Sequence, residues 1–297
     1  MSSILRSSKK LLFGIGLAGC GAAAALLLGL NDDRKVAKAA SLLDNYRNDF
    51  FINGPPPASG LKWDNNWDHR EPQMLVKPLL RGTFRDENDE NNYNEKLEKA
   101  KSTAKRHLLL VRHGQYNLKG ATDADRILTQ LGRQQAQLTG LRLKELSLPY
   151  SRIVQSTMSR ATETAQIISK ELPDVPVSSC ELLREGAPFP PEPSYSRYRV
   201  ESKQYFEDGA RIEAAFRRYF HRADPSQTTD SYEILVCHAN VIRYFVCRAL
   251  QFPPEAWLRF SLHNCSVTWI TMLPRGGVVV YTVGDTGHIP PDKMTTT

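Results

Sequence analysis

The chain has 297 residues, 41% of them apolar, and a formal net charge of +7. That length accommodates one large domain or two small ones with a sizeable core, and the positive balance favours anionic partners. Lys and Arg are scattered rather than clustered, which argues against nucleic acid. Five dispersed cysteines (Cys20, Cys180, Cys237, Cys247, Cys265) without C-x-x-C pairing argue against a disulfide framework or a zinc site.

Residues 1–10 form a basic start with Arg6, Lys9 and Lys10. Leu11–Leu30 is then an uncharged apolar run of about bilayer length. No acidic residue precedes Asp32, so a mitochondrial address or an uncleaved membrane anchor is expected. Arg34, Lys35 and Lys38 follow the run closely, and the positive-inside rule assigns no orientation. Gly14–Gly19 matches G-x-G-x-x-G, but without a preceding strand it is not a dinucleotide fingerprint. Small residues at that spacing suit transmembrane helix packing instead.

Residues 31–104 have the composition of a linker. Asn53–Gly60 is turn and polyproline material, and Arg85–Lys105 is highly charged, ending in a short solvated helix. Between them lies WDNNWD (Trp63–Asp68), with two large apolar side chains in a polar segment. Either Trp63 and Trp67 fold back on the following domain, or they dock into another copy, as buried tryptophan anchors do at interfaces.

From residue 105 to 297, strand-like and helix-like runs alternate. The predicted strands are His107–Val111, Ser151–Ser156, Tyr232–Ala239, Ser266–Leu273 and Gly277–Val283, the last two a hairpin around Pro274–Gly277. The predicted helices are Leu128–Leu146, with Thr129 as N-cap and Leu131, Leu138 and Leu141 on its inner face, Ser159–Leu172, with Ala161, Ala165, Ile168 and Leu172 inside, and Asn240–Leu250. Interleaved strands and helices imply an α/β sandwich whose sheet is mainly parallel, with antiparallel strands at its edge.

Three chemically loaded positions follow strand ends: Arg112-His113, Arg160 and His238. In open α/β sheets ligands bind at the carboxyl ends of strands, where helix N-termini also favour anions. Two arginines, two histidines and a helix terminus make an oxyanion cage, and phosphate fits it best. His107, His221, His263 and His288 are assigned ordinary polar roles, and Gln115, Tyr116 and Asn117 either shape the pocket mouth or cap the loop.

In chain order, LVRHG (Leu110–Gly114), SRATET (Ser159–Thr164), LLREGAP (Leu182–Pro188) and VCHAN (Val236–Asn240) resemble the histidine phosphatase, or phosphoglycerate mutase-like, superfamily over residues 107–285. WDNNWD, Gly209–Arg217, Cys237–Glu255 and Gly284–Lys293 narrow the resemblance to the mitochondrial protein phosphatases of that superfamily. The resemblance implies a three-layer sandwich with a mostly parallel mixed sheet and helices on both faces. It implies His113 as the nucleophile that becomes a phosphohistidine, with Arg112, Arg160 and His238 binding the phosphoryl group and Glu185 as acid and then base. No metal or other cofactor is expected.

It further implies phosphoserine or phosphothreonine proteins as substrates, phosphohistidine as a further candidate, a mitochondrial membrane location and homo-oligomers built through Trp63, Asp64, Trp67 and Asp68. A phosphoglycerate mutase is the alternative enzyme. Mutases of the superfamily carry Asn where this chain has Lys119, and a Trp nearby that is missing here. A membrane-anchored scaffold, in which assembly outweighs catalysis, is the third reading. Some relatives carry an acidic E-S-G-E docking motif; the DENDEN of this chain (Asp86–Asn91) lacks the glycine, so that partner is not carried over.

Overall fold

The computed structural model describes residues 62–77, 87–195 and 198–296. The apolar run Leu11–Leu30 and most of the linker lie outside them. Among the described residues no helix is long and apolar enough to cross a membrane.

A compact unit begins at Asp64. Its elements run in the order α1 (Pro72–Leu75), α2 (Glu87–Lys99), β1 (Arg106–Arg112), α3 (Gln130–Glu145), β2 (Tyr150–Ser156), α4 (Ser159–Glu171), β3 (Val177–Cys180), α5 (Ser202–Tyr219), β4 (Ser231–Cys237), α6 (Ala239–Ala249), β5 (Val267–Met272) and β6 (Val278–Asp285). The sheet order is β3-β2-β4-β1-β5-β6. Strands β1 to β4 pair in parallel, whereas β5 runs antiparallel to both β1 and β6.

All seven residues of β1 are buried, because helices cover both faces of a central strand. Leu108 and Leu110 point into a cluster with Ile212 and Phe216 of α5 and Val241 and Phe245 of α6. Leu109 and Val111 point the other way, onto Leu143 of α3 and Ala161, Ala165 and Ile168 of α4. Each such aliphatic side chain contributes about 1.5–3 kcal/mol relative to exposure. The hairpin between β5 and β6 closes through Leu273 N–H on Gly277 O, with Gly276 at φ +86°, a conformation that glycine adopts without steric cost.

Two helices depart from expectation. In α3, Thr129 does cap, accepting from Gly132 N–H at 3.0 Å. Yet the buried face is Gly132, Gln135, Ala136, Thr139, Gly140 and Leu143, while Leu141 is exposed and Leu131 and Leu138 are only half-buried. The cause is close packing: a Cβ at Gly132 would collide with the Gln115 carbonyl. This face therefore takes small and polar side chains rather than leucines. Helix α5 was not anticipated as a helix, although Ile212, Ala215, Phe216 and Tyr219 form a 3.6-period buried stripe.

Candidate active site

The register of the two central parallel strands builds the site. Arg112 pairs with Cys237, so the next residues, His113 and His238, emerge side by side at the carboxyl edge. His113 N–H donates to Cys237 O at 3.0 Å, and the two imidazole centroids lie 5.2 Å apart. On the far side of β4, the end of β2 brings Ser156 beside them, and α4 starts with Ser159 and Arg160. Arg112, His113, Arg160 and His238 are thus gathered in one buried cage.

Hydrogen bonding defines the His113 tautomer. His113 Nδ1 is 2.8 Å from the Gly114 carbonyl, which only accepts, so Nδ1 carries the proton. Nε2 is left with its lone pair, and Arg160 Nε donates to it at 3.2 Å. Burial, together with the Arg160 and Arg112 guanidiniums, holds the His113 pKa well below the ordinary histidine range, so the ring is neutral at physiological pH. His238 Nε2 lies 2.8 Å from Ser156 Oγ, which also accepts from Met158 N–H. The buried Nδ1 has no hydrogen-bond partner among the described residues. Burial, then the neighbouring His113 and Arg160, lower the His238 pKa as well.

Tyr116 stands edge-on to His113 with centroids 5.1 Å apart, and the Arg160 guanidinium lies 4.7 Å above the Tyr116 ring. Tyr116 is therefore a wall of the cage. Gln115 and Asn117 hold the loop: Gln115 N–H donates to Gln135 Oε1 at 2.9 Å, and Asn117 N–H donates to Ile127 O at 2.9 Å.

Glu185 joins the same cage from the loop before α5. Gly186 N–H donates to its Oε1 at 3.2 Å. Burial raises its pKa against the lowering pull of Arg160 and Arg112, which favours the protonated acid relative to a solvated carboxylate. Arg243, one turn into α6, interacts with both Glu185 and Arg112 and was not singled out from sequence. Only its helical distance from His238 hinted at it. Three other histidines are engaged elsewhere: His107 bonds Thr271 Oγ1 (2.7 Å), His221 the Arg222 carbonyl (2.8 Å) and His288 Thr139 Oγ1 (2.8 Å).

Arg112 is held by the carboxy-terminal segment. Its Nη1 donates to the carbonyls of Leu262 and Thr296, the latter at 2.8 Å, and its buried Nε has no partner among the described residues. Burial pulls its pKa down to about 10, which still leaves it charged at neutral pH. The segment itself is bolted on by Asn264 N–H to Thr295 O (2.8 Å) and by Gln135 Nε2 to Lys293 O (2.7 Å). Asn264 also donates to the His113 carbonyl at 3.1 Å. Deleting residues 294–297 is expected to lower turnover about ten- to a hundredfold, the size of a lost hydrogen bond to a charged group. Kinetics of the truncated chain, with a melting curve to show that it folds, measure this.

Of the WDNNWD residues, Trp67 and Asp68 pack against their own chain. Trp67 Nε1 donates to Gly276 O at 2.8 Å, and its ring meets Phe216 at 5.9 Å. Asp68 accepts from Arg222 Nε and Nη2 in an ion pair whose side chains are 0% and 5% exposed. Burial pushes the Asp68 pKa up, but hydrogen bonds and charge from Arg222 outweigh it and hold it below the usual carboxylate value. The Asp64 backbone exchanges two hydrogen bonds with the Gln251 amide, and Trp63 ends the segment that precedes this unit.

Residues 108–284 match the model of the histidine phosphatase superfamily (branch 1). A mouse protein, the mitochondrial serine/threonine-protein phosphatase PGAM5 of Mus musculus, is 54% identical over 246 residues, covering 81% of this chain and 84% of that protein. Its namesake in Xenopus laevis is 51% identical over 277 residues, covering 93% and 96%. Among solved structures, a phosphoglycerate mutase from Plasmodium falciparum is 37% identical with a TM-score of 0.45, covering 61% of this chain and 92% of that one. The chain belongs to the histidine phosphatase superfamily, branch 1, and within it to the group of the PGAM5 proteins.

Proposed function

We propose that the protein is a metal-independent serine/threonine protein phosphatase that works through a phosphohistidine on His113. The observation that carries this is the fixed tautomer of a neutral, buried His113, whose Nε2 lone pair faces Arg160 while Nδ1–H is tied to Gly114 O. A neutral imidazole is a competent nucleophile.

In the first step Nε2 attacks phosphorus and the bond to the serine or threonine oxygen breaks. The Arg160 Nε–H that caps Nε2 turns to a phosphoryl oxygen, Arg112 Nε and His238 donate to others, and the developing charge is stabilised in a buried, preorganised cage. Glu185 gives its proton to the leaving alkoxide. In the second step Glu185, now a carboxylate, takes a proton from water. That water attacks phosphorus, the P–N bond breaks, and His113 returns to its neutral form with inorganic phosphate released.

Phosphorylated proteins as substrates accord with the names of the similar PGAM5 proteins, as does a mitochondrial location. Anchoring at a mitochondrial membrane through Leu11–Leu30 rests on the apolar run alone. Phosphoserine and phosphothreonine peptides should be turned over efficiently, and 2- and 3-phosphoglycerate should not be exchanged. Efficient exchange would replace the protein phosphatase with a mutase.

Homo-oligomerisation through Trp63, Asp64, Trp67 and Asp68 is part of the same proposal. The socket formed by Gly276, Phe216 and Arg222 accepts Trp67 and Asp68 of its own chain. The same segment of a second copy is chemically identical, so exchange between copies joins them without new contacts. Replacing Trp63 and Trp67 together with Ala should lower the mass measured by light scattering. An unchanged mass would confine both residues to the intramolecular role.

A further inference from the structure

The loop between Tyr116 and Leu128 contains a single 3-10 turn, Asp123–Asp125, that the cage as described does not use. Asp123 reaches from it to the start of α4. Its Oδ2 accepts from Ser159 N–H at 3.0 Å and from Ser159 Oγ–H at 3.1 Å. The helix's own N-cap residue, Met158, supplies no side-chain acceptor, so Asp123 caps α4 from outside.

The second oxygen faces the cage. Asp123 Oδ1 is buried and makes no hydrogen bond among the described residues, and it lies 3.6 Å from Arg160 Nη1, which is buried and equally without a hydrogen bond among them. Among the described residues that guanidinium also places Nε on His113 Nε2 and its cation face on Tyr116. Glu185 and Tyr116 also act on Arg160, but its ion pair among the described residues is with Asp123. Asp123 is thus the carboxylate opposite Arg160.

We propose that Asp123 is a positioning residue, whose charge fixes the orientation of the Arg160 guanidinium so that it can pass from His113 to the phosphoryl group. A long arginine loses considerable rotamer freedom when it is fixed in one geometry. An ion pair behind the guanidinium, on a loop anchored to the helix that carries it, supplies that constraint before substrate binds. The division between the two oxygens is testable because asparagine keeps the capping acceptor and removes the charge.

This inference rests on the phosphatase reading of the site. The test measures kcat and KM on a phosphoserine peptide, and inhibition by orthovanadate, for the full chain and for Asp123→Asn, Arg160→Lys and the double variant. Asp123→Asn should lower kcat/KM about ten- to a hundredfold, in keeping with misplaced reacting groups, and weaken vanadate inhibition in step, with an unchanged melting temperature. In the Arg160→Lys background the same substitution should add little, as expected when two residues act as one unit. Unchanged kinetics, tighter vanadate inhibition, or a full additional loss in the Arg160→Lys background would overturn the inference. If Asp123→Asn melts below the assay temperature, Asp123→Ser, neutral and still a capping acceptor, is read by the same outcomes. An unsubstituted chain that neither turns over the peptide nor responds to vanadate would instead overturn the phosphatase reading.

Discussion

Replacing His113 with Ala is expected to abolish phosphate release from phosphoserine peptides, a loss of at least about 10⁴-fold for a group on which the whole reaction turns. The His113 ring holds a nitrogen lone pair inside the cage with a fixed partner on the opposite nitrogen. His238 is engaged differently, with its Nε2 hydrogen-bonded to Ser156 Oγ. The substitution should leave the fold standing: β1 is buried on both faces by Leu108 to Val111, and His113 lies beyond its end. A malachite-green assay with a melting curve on the same sample measures both. Retained turnover would place the nucleophile elsewhere.

The second large effect is expected at Glu185 and depends on the leaving group. Glu185→Gln should cost about 10²–10⁴-fold with a phosphoserine peptide, whose alkoxide needs a proton as it departs. With p-nitrophenyl phosphate, whose leaving group is already stable as an anion, the first step should be far less affected. The pH profile carries the same information. Because the Glu185 pKa is raised and the protonated form is the acid, the unsubstituted rate should fall as pH climbs through that pKa. Glu185→Gln should lack this limb. The His113 pKa is lowered and the neutral form attacks, so the acid limb should appear only well below the 6.5 of an ordinary histidine. Steady-state kinetics on both substrates across the pH range check each point. Equal losses of kcat/KM, which reports the first step alone, on both substrates would remove Glu185 from the role of acid.

Which features were legible in the sequence follows from how local their causes are. HLLLV announced a central strand because both of its faces need apolar cover, and the Arg112-His113 and Cys237-His238 pairs could be aligned because parallel strands share a carboxyl edge. The inner face of α3 was misassigned to leucines because the close approach of Gly132 to the Gln115 backbone comes from tertiary packing, not from hydrophobic period. Ser156, Asn264 and Gln135 were invisible for the same reason. Each is a buried polar residue whose meaning appears only when a strand end, a loop and the carboxy-terminal segment converge on His113 and Arg112. Trp67 was recognised as an anchor, but its partners could not be, since Phe216 and Gly276 lie far along the chain.

The central claim is that phosphate passes through His113. Mixing the protein with a ³²P-phosphoserine peptide and quenching in alkali within the first turnover should leave label on the protein. That label should be stable to alkali, labile to acid, absent from the His113→Ala variant and mapped to His113 by peptide sequencing. Full turnover with no labelled protein at any quench time, or an acid-stable label on another residue, would contradict it.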